Sequence, residues 1–428
     1  TFYELKNRGI NIYSGFSPEH VRADRVIYSG AHGGEHNCEV VYAKEKGIAT
    51  LSLAQALGEL SRKKETLAVC GCHGKTTTTA LAAYVLDRVV PQVSYAVGAA
   101  QFSGMSSGKW SETSKLFVVE ADEYVVDPQT DTRTKFTLLS PRFVIATVFD
   151  YDHVDMYSSV EELKRAYRLF FESVPKDGFI IVNADDPVLC VLTRNVRSRV
   201  ATYGLSQHAD YRVLSIGRHS KQTVFSVNVK NQQEYTFAIN LHGTHNALNA
   251  TAVVAFCNEY GLDLKKCAQA LAAFRGVRRR LELYYEKNTV TILDDYAHHP
   301  TEISATLQAV KASYPDKKIA VLFQPHTYSR TKHFLTGFVE SLSQADYTAV
   351  LPIFASKREQ TNTAVTSNFL VAKARAKGND HCVYLEDEKG IKAWLNGLPK
   401  QHLVLLTMGA GDVYTYVNTI KSFFENYE

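Results

Sequence analysis

No uninterrupted apolar run reaches the roughly 18 residues that a membrane-spanning helix needs; the longest candidates, such as residues 319–323, are strand-sized. No membrane partner is expected. Blocks of like charge are also missing: 48 basic and 44 acidic side chains leave a formal charge of +4, with neither a nucleic-acid arm nor a lipid-binding face. The cysteines, an odd number at Cys38, Cys70, Cys72, Cys190, Cys257, Cys267 and Cys382, make neither a disulfide framework nor paired CxxC knuckles. A reducing, cytoplasmic setting is expected. There is no internal repeat and no low-complexity tract. The chain opens at Thr1 without a start methionine, on what reads as the end of a helix followed by a strand, so part of the N-terminus is expected to be missing.

What the 428 residues do contain is an alternation of strand-like and helix-like runs, the pattern of parallel sheets with crossover helices. Length predicts two or three domains. The first sixty residues read as a small α/β domain: strands at "INIYSGF", "RVIYSGA" and "IATLS", helices at "NCEVVYAKEKG" and "LAQALGEL". The charged "SRKKE" at residues 61–65 is the first expected boundary. A second α/β block follows, with "KLFVVEADE", "FVIATVFDYDH" and "GFIIVNADDP" as buried strands ending in acidic residues. In open α/β sheets ligands gather beyond such strand ends. Residues 203–241 change to short alternating strands, an expected antiparallel flank; helical periodicity returns over residues 245–274. The basic "GVRRRLE" at residues 276–282 is the second expected boundary, after which strands and helices alternate to "LVLLTMGAGD". The expected domains are 1–64, 65–281 and 282–428.

The stretch "LAVCGCHGKTTTT" reads as strand, tight glycine turn and helix start. Gly71 and Gly74 allow successive backbone N–H groups to face phosphate oxygens, and the helix adds its positive end. Lys75 would reach β and γ phosphates, and the Thr76 hydroxyl would bind magnesium. The bland alternative is a glycine turn capped by threonines beside a solvated lysine. Glu120 in "FVVEADE" and His153 in "FDYDHVDMY" lie at later strand ends of the same block, and with Thr76 they make a plausible two-magnesium site for phosphoryl transfer. In "HGTHNALNA", Asn246 and Asn249 are three apart on one helix face, able to read a base edge or simply to cap the helix. One of Arg278, Arg279 and Arg280 could aim at a γ-phosphate, or the triple could be a solvated linker. "LDDYAHHPTEI" gathers two acids and two histidines on a strand-to-helix turn, a loop whose side chains fan toward a ligand. "FQPHTYSRT" repeats that design with His326 and Arg330, and arginine suits a carboxylate.

Taken together, "GCHGKTTTT", "EADE", "DH", "HN..N", "RRR", "DDYAHHPTEI", "FQPHTYSRT" and "MGAGD" occur in the order of the Mur ligases, and the chain resembles that family along essentially its whole length. The resemblance implies three domains: an N-terminal Rossmann-like domain for a UDP-sugar, a central P-loop ATPase with a mostly parallel sheet and a small antiparallel one, and a C-terminal Rossmann-like domain for the amino acid. It also implies an ATP- and Mg2+-dependent ligase of peptidoglycan precursor synthesis, joining L-alanine to UDP-N-acetylmuramate through an acyl phosphate. Carried over, Gly71, Cys72, His73, Gly74, Lys75, Thr76 and Thr77 form the phosphate loop, while Thr76, Glu120 and His153 hold metal. Asn246 and Asn249 face adenine, Arg280 (or Arg279) the γ-phosphate, and Asp295 the ribose. His298, His326 and Arg330 lie near the alanine and the acyl phosphate. Lys75 and Arg330 fall in different expected domains, so domain closure is implied. The family usually has threonine at Cys72, some members have arginine at Thr327, and its glycine-rich opening turn precedes Thr1. Residues 123–141 are longer than in many L-alanine ligases and resemble the recycling branch that adds a tripeptide. The alternatives are therefore that tripeptide ligase and a nucleotide-binding protein without ligase activity. Oligomeric state is not legible.

Overall fold

The computed structural model describes residues 2–152, 154, 156–219, 222–287, 289–355 and 365–426. The chain divides into two compact units. The first comprises Thr1–Ala100, Met105–Tyr151 and Met156–Tyr203; the second comprises Gln101–Gly104, Asp152–Asp155 and Gly204–Glu428.

The first unit begins with α1 (Phe2–Asn7), β1 (Arg25–Tyr28), α2 (Cys38–Glu45), β2 (Ala49–Ser52) and α3 (Leu53–Ser61), with β1 parallel to β2. Local chemistry sets the helix starts. The Asn37 side chain accepts from the Glu39 N–H, and Ser52 and Gln55 form a reciprocal capping box on α3. Then come β3 (Glu65–Cys70), α4 (Lys75–Val89), β4 (Ser94–Phe102), β5 (Met105–Lys109), β6 (Leu116–Glu120), β7 (Val125–Asp127), β8 (Asp131–Thr134), β9 (Phe143–Ala146), α5 (Val160–Glu172), β10 (Phe179–Asn183), α6 (Pro187–Leu192) and β11 (Arg199–Gly204). The order across the unit's main sheet is β11-β10-β9-β3-β6-β4-β5, and β3 runs parallel to both β6 and β9. Leu67, Ala68, Val69 and Cys70 are fully buried, as a central parallel strand covered on both faces requires. Register pairs Val69 with Glu120 and Cys70 with Ala146, so β3, β6 and β9 deliver their carboxyl ends to one edge.

The second unit holds three antiparallel strands, β12 (Tyr211–His219), β13 (Gln222–Val229) and β14 (Gln233–Ile239), followed by α7 (Thr244–Glu259) and α8 (Leu264–Ala273). It continues through β15 (Glu282–Lys287), β16 (Val290–Asp295), α9 (Pro300–Ser313), β17 (Lys318–Phe323), α10 (Tyr328–His333), α11 (Leu335–Leu342), β18 (Tyr347–Val350), α12 (Ser367–Ala376), β19 (Cys382–Tyr384), α13 (Glu388–Gly397), β20 (Leu403–Met408) and α14 (Val417–Glu425). These strands form a six-stranded sheet, β15-β16-β20-β17-β18-β19, parallel except at β15. One core packs Ile303, Leu307, Phe338 and Leu370 beneath it, and another packs Ile391, Leu395, Val417 and Ile420 on the other face.

One expected strand does not form. Residues 10–16 carry no strand, and Ile10, Tyr13 and Phe16 are exposed; Tyr13 instead stacks on His20 at 4.3 Å. Apolar alternation makes a strand only where a neighbour can pair with it, and β1 and β2 pair with each other alone. Conversely, the half-exposed edge strand β15 and the β7–β8 hairpin arise where the sequence showed no apolar run. Among the described residues no helix is long and apolar enough to cross a membrane.

Candidate active site

Between β3 and α4 the chain turns through Gly71 (φ +129°) and Gly74 (φ +81°), conformations that favour glycine. A Cβ at Gly71 would sit 2.1 Å from Thr147 Oγ1. Thr147, the first residue beyond β9, straps the loop: its hydroxyl lies 3.1 Å from the Cys70 carbonyl oxygen and 2.6 Å from that of His73. The Cys72 N–H donates to Val148 O at 2.6 Å, the Cys72 thiol to Asp150 O at 2.7 Å, and His73 Nε2 lies 2.9 Å from Asp150 Oδ2. The side chains of Cys72 and His73 thus anchor the loop to the segment after β9. Thr76 and Thr77 are buried in the first turn of α4.

Lys75 is not solvated. Its ammonium donates to Gly71 O (2.7 Å), Cys72 O (3.2 Å) and Glu123 Oε1 (2.8 Å), and Glu123 is fully buried. Burial, the largest single influence, would lower the lysine's pKa, but the Glu123 charge and hydrogen bond together with the Cys72 and Asp122 charges outweigh it and the net shift is upward. Beside it, the Thr76 hydroxyl donates to Glu120 Oε1 at 2.8 Å, and Glu120 Oε2 accepts the Gly98 N–H at 2.8 Å. Burial raises the Glu120 pKa against the lowering pull of Lys75, Thr76 and Gly98. The pair offers hard oxygen donors of the kind magnesium takes. His153 lies outside the described residues. Glu123, Thr147 and Gly98 were missed by sequence reasoning; Glu123 was visible only as the last acid of "EADE", and Thr147 as the first polar residue after a buried strand.

In the first unit a polar cavity of about 480 Å3 opens beside the ends of β1 and β2, lined by Tyr28, Lys44, Thr50, Gln55, Thr130 and Arg133 among others. Two of these come from the β7–β8 hairpin and the turn within it.

In the second unit Asn246 and Asn249 meet on the buried face of α7, where Asn249 Nδ2 lies 3.3 Å from Asn246 Oδ1 and Asn246 Nδ2 donates to His242 O at 2.8 Å. Of the arginines, Arg279 serves the fold. It pairs with buried Asp294 at 3.3 Å, donates to Gly409 O and Gly411 O at 2.7 and 3.2 Å, and lies over the Tyr296 and Tyr414 rings. Arg280 makes a looser contact with Glu302 at 3.8 Å. Asp295 accepts the N–H groups of Ala297 and Leu281, each at 2.7 Å, and burial lifts its pKa to about 6 despite Arg280 and those N–H groups. Neighbouring His245 is pushed down to about 4 by burial and then by the Arg280 charge, against Glu302.

The third group gathers at the ends of β16 and β17. His298 Nδ1 donates toward Tyr296 O (3.0 Å) and Glu302 Oε2 (3.2 Å), and its ring stands edge-on to His326, with centroids 6.0 Å apart. His326 stacks on Phe354, and its Nδ1 accepts from Arg330 Nη1 at 3.1 Å. Arg330 is buried and already grips a carboxylate: Nε and Nη2 both donate to Asp152 Oδ1, at 3.1 and 2.8 Å. Thr327, the residue capping α10, has φ +67°, a strained value for a β-branched residue.

Three family models match end to end: "Mur ligase family, catalytic domain" over residues 2–65, "Mur ligase middle domain" over 69–257, and "Mur ligase, glutamate ligase domain" over 279–411. A UDP-N-acetylmuramate–L-alanine ligase of Salinibacter ruber is 34% identical over 99% of this chain and 87% of its own length. One from Caldanaerobacter subterraneus is 35% identical, over 92% and 83%. Among solved structures, the UDP-N-acetylmuramate–alanine ligase of Thermotoga maritima superposes with a TM-score of 0.81 at 24% identity, covering 100% of this chain and 91% of that one. A murein peptide ligase of Psychrobacter arcticus gives 0.71 at 22% identity, covering 99% and 91%. The fold is the three-domain α/β architecture of these enzymes, and the chain belongs to the Mur ligase family.

Proposed function

We propose that the chain joins L-alanine to the carboxylate of UDP-N-acetylmuramate, with ATP converted to ADP and phosphate, in the cytoplasm. The observation that carries this reading is the strand-end constellation of the Gly71–Thr76 loop, Lys75 and the Thr76–Glu120 pair, the parts a phosphoryl transfer needs. The similarity to L-alanine ligases over nearly the full chain supports the choice of substrates.

In this reading the loop N–H groups and Lys75 hold the β and γ phosphates, Asn246 and Asn249 face the adenine, Asp295 the ribose, and Arg280 the γ-phosphate. The polar cavity beside β1 and β2 suits part of the sugar nucleotide. Thr76 and Glu120, with His153, would hold magnesium, which when bound neutralises the triphosphate. The sugar carboxylate attacks the γ-phosphorus and ADP leaves. The alanine amine, held near His298 and His326 with its carboxylate on Arg330, then attacks the acyl carbon; phosphate departs and the amine proton is released. No side chain becomes a covalent nucleophile, so positioning and electrostatics do the work. The proposed domain limits are 1–64, 65–281 and 282–428.

Phosphate release is measured with UDP-N-acetylmuramate and ATP, adding either L-alanine or the murein tripeptide. Release with alanine is expected. Release only with tripeptide would assign the chain to the recycling branch, and nucleotide binding without release on either acceptor would remove the ligase reading.

A further inference from the structure

The Arg330 guanidinium is buried, and its partner is a carboxylate of this same chain, Asp152. We propose that Asp152 is a resident carboxylate: it occupies Arg330 until the amino acid arrives, and the amino acid's α-carboxylate takes its place. This deepens the function proposed above and rests on Arg330 being the anchor for that carboxylate.

Three observations carry it. First, a buried guanidinium without an anion is strongly disfavoured, so a site built to receive a carboxylate there needs a substitute while empty. Asp152 supplies one of the same chemistry. Second, Asp152 uses the arginine through a single oxygen, with both Nε and Nη2 directed at Oδ1. A planar guanidinium binds a carboxylate best when two parallel N–H···O bonds reach two oxygens, so a free α-carboxylate can improve on the resident one. Third, the two partners differ in the backbone that carries them. Arg330 is on α10, whose capping Thr327 is fixed in a strained conformation by its N–H bond to Phe354 O (3.1 Å) and by its carbonyl bond to the Thr331 hydroxyl (2.6 Å); His326 and Phe354 stack beside it. Asp152 lies outside any helix or strand. The arginine is set on a helix, whereas shifting the aspartate would break no helix or strand-ladder hydrogen bond.

Asp152 therefore competes with the amino acid, and apparent affinity is reduced by the fraction of molecules in which Arg330 is occupied. The full chain is assayed by phosphate release at varied L-alanine, with the other two substrates saturating. Asp152→Asn, which keeps the shape and removes the charge, is expected to lower the KM for L-alanine by about tenfold while leaving the KM for ATP unchanged. In Asp152→Ala, formate should inhibit competitively against L-alanine, because it can fill the vacated place on Arg330. A KM for L-alanine that is unchanged or raised in both variants overturns the proposal and makes Asp152 a fixed structural partner. Arg330→Ala separates the two readings: a KM for L-alanine unaffected by this change would defeat the anchor role itself, whatever Asp152 does.

Discussion

At Lys75 three N–H donors meet three protein acceptors, so the proposed grip on phosphate requires that at least one existing partner be exchanged for a phosphate oxygen. Lys75→Ala is expected to abolish phosphate release, and it should also cost about 3–5 kcal/mol of stability, because it strands the buried Glu123 carboxylate. The double variant Lys75→Met/Glu123→Gln removes both charges and should recover most of the melting temperature without recovering turnover. A second test is steric. A Cβ on Gly98 would lie 2.6 Å from Glu120 Oε2, so Gly98→Ala should displace that carboxylate and raise the magnesium concentration needed for half-maximal rate at least tenfold, a rise read from a magnesium titration. His245 gives a pH test. Its folded value of about 4 lies below the ordinary 6.5, so the unfolded chain takes a proton that the folded one refuses. Stability falls as pH drops through that window, by up to about 3 kcal/mol, and the loss levels off below it. Asp295, raised to about 6, acts in the opposite direction. The difference between wild type and His245→Gln in denaturant melts at several pH values isolates the histidine, and a pH-independent difference would refute its assigned state.

Among elements, legibility followed burial on both faces. β3, β6, β9 and β10 are continuous apolar runs because helices or loops cover both sides, and each was readable with the acidic or glycine residues that end it. β15 and the β7–β8 hairpin are partly polar, so composition did not reveal them, while residues 10–16 alternate without a partner and misled. The candidate site divides the same way. Thr76, Glu120 and Lys75 stand in a recognisable order, whereas Glu123 and Thr147 matter through contacts made by strands distant in sequence. The β7–β8 hairpin has its own test. It docks on the N-terminal segment so closely that a Cβ at Gly34, itself at φ +52°, would fall 1.9 Å from Asp127 Oδ2. Asp127 also accepts the N–H groups of Glu35 and Gln129, at 3.1 and 2.9 Å. Gly34→Ala should therefore cost about 1–3 kcal/mol and open residues 128–132 to limited proteolysis.

For the molecule as a whole, a nucleotide that binds only the folded chain must stabilise it by mass action, about 2.7 kcal/mol at a concentration one hundred times its Kd. Thermal melts with ADP and magnesium should show that shift, and a chelator should remove most of it if Thr76 and Glu120 act through the metal. The Thr147 hydroxyl gives such measurements a further meaning. By clasping the carbonyls on either side of the glycine turn, it makes the proposed receptacle for the triphosphate a product of folding, shaped by the chain's own contacts. Calorimetric titration should then report a heat-capacity change no larger than the contact itself accounts for. In Thr147→Val the slack would reappear as an ordering penalty on association, so a side chain bonded only to the loop's backbone carbonyls would set how much of the binding energy is left for chemistry.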